Sequence, residues 1–297
     1  MTITPTERNI RASLPIIRFF QRVMPLTLAN RLIKLGSTRV KLDADLRRET
    51  GLIDGVPCEW IIPKPCRKDQ VLLYLHGGGF VFKLTSPHLK MGAYLARKSG
   101  LRTLMVDYRT APKNPFPAAL DDCISVYQWL IEQGISAQDI VVAGDSAGGN
   151  LTLTMIMKLR DNGDPMPAAA VCISPVTDLT PKEDPRKDFR DPLLPRKAVQ
   201  FYSQAYIGNG DAYHPLISPV FGDMKNFPPL LIHVGENEIL LNDAEKISGL
   251  ARDADVDVRL EIYPRMWHVW QLNLSLPQAI QSLDDIARFF RNQLTSK

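Results

Sequence analysis

Short apolar runs alternate with longer segments of helical periodicity from about residue 60 onward. The runs are rich in β-branched residues, which indicates strands buried on both faces, and the spacing between them is typical of helices. Strands are expected at Trp60–Ile62, Val71–Leu75, Leu101–Val106, Ile140–Ala143, Ala169–Ile173, Leu230–Val234 and Val256–Ile262, and helices near 88–98, 117–133, 147–160, 242–253 and 278–294. This alternation predicts an α/β fold with a mostly parallel sheet, whose ligands bind at the carboxyl ends of the strands.

Two stretches depart from the alternation. Residues 7–35 carry apolar residues at helical spacing, and Pro15 and Pro25 are expected to divide them into short helices that pack over the core or an active site. Basic residues between the apolar positions leave an interfacial membrane helix as the alternative. The segment 177–228 is rich in Pro, Asp, Lys and aromatic residues, and its place between two strands predicts a lid over the strand ends.

Composition narrows the class of protein. Among 297 residues, 45% are hydrophobic and 23% charged, which is typical of a globular protein, and 36 Lys+Arg against 32 Asp+Glu give a net charge of only +4. So mild a charge argues against a nucleic-acid partner. The absence of a run of about eighteen apolar residues argues against stable membrane insertion.

The four cysteines show no metal-binding spacing, so a reducing, cytoplasmic setting is expected. A disulfide between Cys58 and Cys66 is the alternative for a secreted protein.

A serine lies where a strand gives way to a helix. The run Val141–Ala143 is followed by Gly144-Asp145-Ser146-Ala147-Gly148-Gly149-Asn150, and the pattern Gly-x-Ser-x-Gly between a strand and a helix is the nucleophile elbow. Its small residues allow the tight turn that exposes the serine Oγ above the sheet. Ser146 is therefore predicted to be a catalytic nucleophile.

A second glycine motif follows the strand Val71–Leu75. It reads His76-Gly77-Gly78-Gly79-Phe80, and bare backbone N–H groups of this kind form an oxyanion hole together with the N–H of the residue after the nucleophile. Gly77, Gly78, Gly79 and Ala147 are the predicted oxyanion residues. His76 is interpreted as a side chain that braces the loop.

The serine needs a base and an orienting acid, which on this kind of sheet follow it in the order acid, then histidine. Of the five histidines, only His268 lies in a loop after the last strand, so it is the predicted base. The loop after Val234 offers three acids. Glu238 is favoured, Asp243 is the first alternative because it also suits a helix start, and Glu236 is the second.

These motifs, in this order, resemble the hormone-sensitive-lipase-like bacterial carboxylesterases of the α/β-hydrolase fold. The resemblance rests on the glycine motif at His76, on Asp107-Tyr108-Arg109-x-Ala111-Pro112-x-x-Pro115-Phe116-Pro117-Ala118-Ala119, on the serine motif, and on Ser174-Pro175-x-x-Asp178-Leu179. It departs from the family at Glu238, where most members carry aspartate.

The resemblance implies an eight-stranded, mostly parallel sheet with a helical cap. The cap helices would occupy residues 1–50 and the catalytic core 51–297, with 177–228 contributing to the cap. It also implies a serine carboxylesterase that hydrolyses short- to medium-chain acyl esters through an acyl-enzyme, without a metal or cofactor, and a homodimer. An amide or drug deacetylase with the same triad, or a non-catalytic ligand-binding protein on this fold, are the alternatives.

Overall fold

The computed structural model describes residues 4–181 and 191–295. Residues 182–190, which belong to the predicted lid segment 177–228, lie outside the described residues.

Within that part of the chain, the core is a sheet of eight strands in the order β1-β2-β4-β3-β5-β6-β7-β8. The strands are β1 (Leu46–Ile53), β2 (Val56–Pro63), β3 (Arg67–Leu75), β4 (Leu101–Val106), β5 (Ile140–Asp145), β6 (Ala169–Ile173), β7 (Leu230–Gly235) and β8 (Val258–Tyr263). β1 and β2 pair with their neighbours in antiparallel fashion, and β3 to β8 are parallel. The mostly parallel α/β sheet is confirmed, and with it the seven strands that the apolar runs predict.

The sequence did not predict β1, the strand at one edge of the sheet. Only Ile53 of its eight residues is buried, so the strand carries no apolar run that would distinguish it from a loop. β1 pairs with β2 along the whole length of both strands, and this pairing supplies its backbone hydrogen bonds. The side chains of β1 give no sign of that pairing in the sequence.

Helices cover both faces of the sheet. They are α1 (Pro5–Val23), α2 (Leu26–Thr38), α3 (Ser86–Ser99), α4 (Ala118–Glu132), α5 (Ala147–Asn162), α6 (Arg196–Ile207), α7 (Leu241–Asp253) and α8 (Pro277–Thr295). Alternate residues of β3 point to opposite layers: Leu72 packs in one core cluster with α3 and α8, and Leu73 packs in another with α4 and α5. Because both faces are covered, the buried parts of the central strands are mostly apolar, which is why the sequence reveals them.

The N-terminal residues form two helices, α1 and α2, ahead of the first strand. The expectation that Pro15 divides the first helix is wrong, because α1 continues through it from Pro5 to Val23. Proline removes one helical hydrogen bond, but most helical stability in proteins comes from tertiary packing, and Leu14 of this helix packs in a buried cluster with Met266 and Trp267. Pro25 does separate α1 from α2.

The predicted boundary between residues 50 and 51 falls inside β1, and the division into cap and core stays a prediction. No helix in the described ranges is long and apolar enough to cross a bilayer.

Candidate active site

Ser146 occupies the turn between β5 and α5. Its backbone is in an unusual conformation, with φ +53° and ψ −115°, and non-glycine residues adopt a positive φ only where the surrounding structure imposes it. The turn is also too tight for larger neighbours: a Cβ on Gly144 would lie 2.2 Å from the carbonyl oxygen of Gly148, and one on Gly148 would lie 1.9 Å from that of Leu75. The glycines of the motif are therefore required by close backbone approach.

His268 lies in the loop after β8 and reaches Ser146. Its Nε2 is 2.9 Å from the Ser146 Oγ, which is a hydrogen bond of the kind that joins a nucleophile to its base. Burial lowers the pKa of His268, although Asp191 and Asp145 oppose that shift. A lowered pKa keeps the imidazole neutral, which is the form that accepts a proton.

Glu238 is the acid of the β7 loop that comes near His268. Its Oε2 lies 3.9 Å from the His268 Nδ1, too far for a hydrogen bond, and accepts one from the Ser174 hydroxyl at 2.8 Å. The Ser174 oxygen in turn accepts from the N–H of Val269 at 3.3 Å. Among the described residues, neither the His268 Nδ1 nor the other Glu238 oxygen, Oε1, has a side-chain hydrogen-bond partner.

Burial also controls the charge of Glu238. It raises the pKa of this carboxyl well above the ordinary value, and the nearby charges of Asp191 and Asp243 add to the rise, whereas the hydrogen bond from Ser174 opposes it. A positive charge on His268 would favour the ionised carboxyl, because opposite charges stabilise each other in a buried site.

The other two candidate acids have different partners. The Asp243 carboxylate accepts from the backbone N–H groups of Thr177 and Asp178, at 2.9 and 3.1 Å. Glu236 is exposed and accepts from the N–H of Arg265 at 2.8 Å. Both carboxylates hold loops in place, and the structure brings Glu238 to His268 instead.

The glycine loop after β3 lies beside the serine, but its three glycines are not equivalent. The N–H of Gly77 donates to the Asp145 Oδ1 at 2.9 Å, so it is not available to a substrate, and the prediction that all three glycines serve as donors needs this correction. Gly78 and Gly79 line the cavity over Ser146. Ala147 is the first residue of α5, where backbone N–H groups have no partner within the helix.

Asp145 joins the two glycine motifs, a role that sequence reasoning did not assign. The buried carboxylate accepts from the Tyr74 hydroxyl at 2.7 Å and from the N–H of Gly77, and it pairs with the His88 Nε2 at 3.2 Å. Burial alone would raise the pKa of Asp145. The His88 ring and these donors lower the pKa by more than burial raises it, so the net shift is downward. The only signal in the sequence is its place between Gly144 and Ser146.

His76 braces the glycine loop, as the sequence suggested. Its Nδ1 lies 2.7 Å from the carbonyl oxygen of Gly77, its Nε2 lies 3.6 Å from the Asp107 Oδ1, and its ring stacks on Tyr108 at 4.3 Å between centroids. These partners do not include Ser146, and His76 stabilises the glycine loop.

An apolar cavity of about 610 Å³ opens over Ser146 and His268. Its walls come from the N-terminal helices, the glycine loop, α6 and the His268 loop, and include Ile17, Leu32, Phe82, Tyr202 and Leu272. Within the described ranges, no group of three or more His, Cys, Asp or Glu side chains is placed to hold a metal ion. The arrangement thus presents a hydroxyl, a neutral imidazole and free N–H groups to an apolar ligand.

The sequence is similar to those of known hydrolases and esterases. A family model described as the alpha/beta hydrolase fold matches residues 72–272. The acetyl-hydrolase of Streptomyces hygroscopicus is 38% identical over 237 residues, which cover 78% of this chain and 79% of that protein. The esterase of Acinetobacter venetianus is 36% identical over 227 residues, 74% of each chain.

Solved structures show the same relationship over almost the whole chain. The crystal structure of an esterase from the bacterial hormone-sensitive lipase family is similar at a TM-score of 0.90 and 36% identity, covering 99% of this chain and 100% of the other. Its coverage extends over the N-terminal helices, which lie before the range 72–272 that the family model matches. The chain therefore belongs to the α/β-hydrolase fold family, among the members that are similar to hormone-sensitive lipase.

Proposed function

We propose that the protein is a serine carboxylesterase of the hormone-sensitive-lipase-like group, with Ser146 as nucleophile, His268 as base and Glu238 as orienting acid. The observation that carries the proposal is the 2.9 Å contact between the Ser146 Oγ and the His268 Nε2 at the floor of an apolar cavity. A hydroxyl so placed is activated by the neighbouring base.

In the proposed reaction, His268 removes the Ser146 proton as Oγ attacks the ester carbonyl. The N–H groups of Gly78, Gly79 and Ala147 stabilise the negative oxygen of the tetrahedral intermediate. His268 then gives its proton to the leaving alcohol, an acyl-enzyme remains, and water attacks it by the same steps. The nucleophile, the base and the oxyanion donors in this scheme are all residues of the chain.

Glu238 stabilises the imidazolium that forms during this cycle. Its carboxylate needs to approach the His268 Nδ1 by about 1 Å from the observed 3.9 Å to make a hydrogen bond of ordinary length. A glutamate has one more rotatable bond than the aspartate usual in the family, and the Ser174 hydroxyl fixes one of its oxygens at the distance seen. We propose that the approach occurs as His268 gains its charge.

The apolar cavity supports esters with short to medium acyl chains as substrates, and initial rates on p-nitrophenyl esters from acetate to palmitate test this. We expect hydrolysis that is fastest for short chains and declines when the chain exceeds what about 610 Å³ can hold. Acetyl esters are included because one relative is an acetyl-hydrolase. Negligible rates on all esters, with hydrolysis of p-nitroacetanilide, would favour an amide deacetylase instead.

The pH profile gives a second test. Only neutral His268 accepts the serine proton, so activity is lost as the pH falls through the pKa of His268, which burial lowers. We expect the acidic limb of kcat/KM to have its midpoint below about 6.5, the ordinary value for histidine. A profile measured at constant ionic strength with a midpoint above about 7 would contradict the neutral, buried base.

Several features remain part of the proposal. We propose that α1, α2 and the segment 177–228 form a cap over the catalytic core. We also propose that the protein works in the cytoplasm and that its substrate is a small ester, not a nucleic acid. Two copies of the chain are proposed to form a homodimer. The mass in solution, measured by light scattering, tests the dimer: a monomer at micromolar concentration would contradict it.

A further inference from the structure

Helix α1 holds a carboxylate that is completely buried. Glu7 is 0% exposed, and an isolated charge in such a place is strongly unfavourable unless partners compensate it. Its partners are Arg11, whose Nε lies 3.1 Å from Oε1, and Arg265, whose Nη2 lies 3.6 Å from Oε2. Gln278 donates to Oε2 at 3.3 Å. A helix at the N-terminus is thus joined by charge to the loop that follows β8.

Arg11 makes further contacts with that loop. Its Nη2 donates to the carbonyl oxygen of Arg265, and its guanidinium lies over the ring of Trp267 at 5.0 Å. Arg265 and Trp267 are the residues three positions and one position before His268. Arg265 also has a φ of +63°, so the loop turns sharply at the residue that both side chains of α1 contact.

The loop that carries Glu238 also contacts the His268 loop. The N–H of Asn237 donates to the carbonyl oxygen of Met266 at 2.9 Å, and the N–H of Arg265 donates to Glu236. Leu14 of α1 packs in one buried cluster with Met266 and Trp267. The His268 loop is therefore held by both the acid loop and helix α1, and the carbonyl oxygen of Arg265 accepts from the side chains of Arg11 and Asn237.

We propose that α1 positions His268 for catalysis through the cluster of Glu7, Arg11 and Arg265. The inference rests on the proposed role of His268 as base. It gives α1 two separate tasks, because Ile17 of the same helix lines the cavity. Glu7 and Arg11 are positioning residues that act through the loop, and neither is among the residues that line the cavity.

The Glu7→Gln variant tests the proposal. The amide keeps the size of the side chain but removes the charge that holds two arginines, and a shift of about 1 Å in a reacting group lowers rates by roughly 100-fold. We expect kcat on p-nitrophenyl butyrate to fall about 10- to 100-fold while KM stays within about twofold. Ile17→Ala, on the same helix, should instead change KM and the preferred chain length.

A matched control separates positioning from stability. Glu59 forms an ion pair with Arg48 at 2.6 Å, both side chains are largely buried, and neither lines the cavity. Glu59→Gln makes the same chemical change at another place, so it should lower Tm comparably and leave kcat at the wild-type value. Kinetics are measured well below the Tm of every variant.

A second pair of variants addresses the case in which Glu7→Gln does not fold. Arg11→Ala removes one donor to the Arg265 carbonyl and the cation beside Glu7, whereas Arg11→Lys keeps a cation and a donor. We expect kcat to fall in the alanine variant and to recover at least severalfold in the lysine variant. A merely structural cluster would give equal kcat in both.

The proposal is overturned by wild-type kcat in Glu7→Gln, by a rise in KM alone, or by an equal loss of kcat in Glu59→Gln. These results are distinct from a failure of the proposed function. If the wild type hydrolyses esters and Ser146→Ala does not, the catalytic assignment stands even where Glu7→Gln turns over normally.

Discussion

Replacing Ser146 with alanine is expected to lower kcat on p-nitrophenyl butyrate by on the order of 10⁶-fold, because the members of a triad act as a unit and the nucleophile has no substitute. This corresponds to about 8 kcal/mol of lost transition-state stabilisation. Binding should survive, since the apolar walls of the cavity are kept, so butyrate, the product acid, should raise the Tm of the variant and of the wild type to a similar extent.

Ser248→Ala is the matched control for this variant. Ser248 is a buried serine on α7, and its hydroxyl finds no hydrogen-bond partner among the described residues. Its removal should leave kcat unchanged. A loss below tenfold in Ser146→Ala would show that the chemistry resides elsewhere.

Glu238→Gln is expected to lower kcat by on the order of 10⁴-fold, with little change in Tm. The amide can still accept from Ser174, but it cannot stabilise the imidazolium, and it favours the wrong tautomer of His268. Steady-state kinetics and thermal unfolding of the same preparation measure the two effects together.

Asp243→Asn distinguishes the two acids that the sequence leaves open. The Asp243 carboxylate accepts hydrogen bonds from the N–H groups of Thr177 and Asp178, so the asparagine variant should destabilise that loop and lower Tm. The loss of kcat should be less than tenfold. A larger loss of kcat in Asp243→Asn than in Glu238→Gln would mean that the acid is assigned wrongly.

Much of the fold is predictable because its strands are buried on both faces. The second half of β3 and most of β5 are apolar for that reason, and the motifs at their carboxyl ends predict a serine and a glycine loop at one site. The structure adds that the two strands are hydrogen-bonded neighbours, which is what brings Gly78 and Ser146 to one cavity. Long-range pairing of this kind leaves no local mark in a sequence.

Polar residues were harder to predict than apolar ones. Nothing in the sequence around Glu7 indicates that its side chain is buried. Only the fold shows that it forms ion pairs with two arginines in a buried site. Likewise, the hydrogen bond from the Gly77 N–H to Asp145 joins residues that are 68 positions apart. The hydrogen bond between Ser174 and Glu238 spans 64 positions. Such partners become evident only when the strands that carry them are aligned.

The central claim is that Ser146 is the nucleophile, and covalent labelling tests it most directly. The protein is treated with diethyl p-nitrophenyl phosphate, activity and intact mass are followed together, and the modified peptide is sequenced by mass spectrometry. We expect one diethylphosphoryl group per chain, on Ser146, with loss of activity in proportion to labelling and no adduct in Ser146→Ala. A label on another residue that accompanies inactivation, or full inactivation of ester hydrolysis without a label on Ser146, would contradict it.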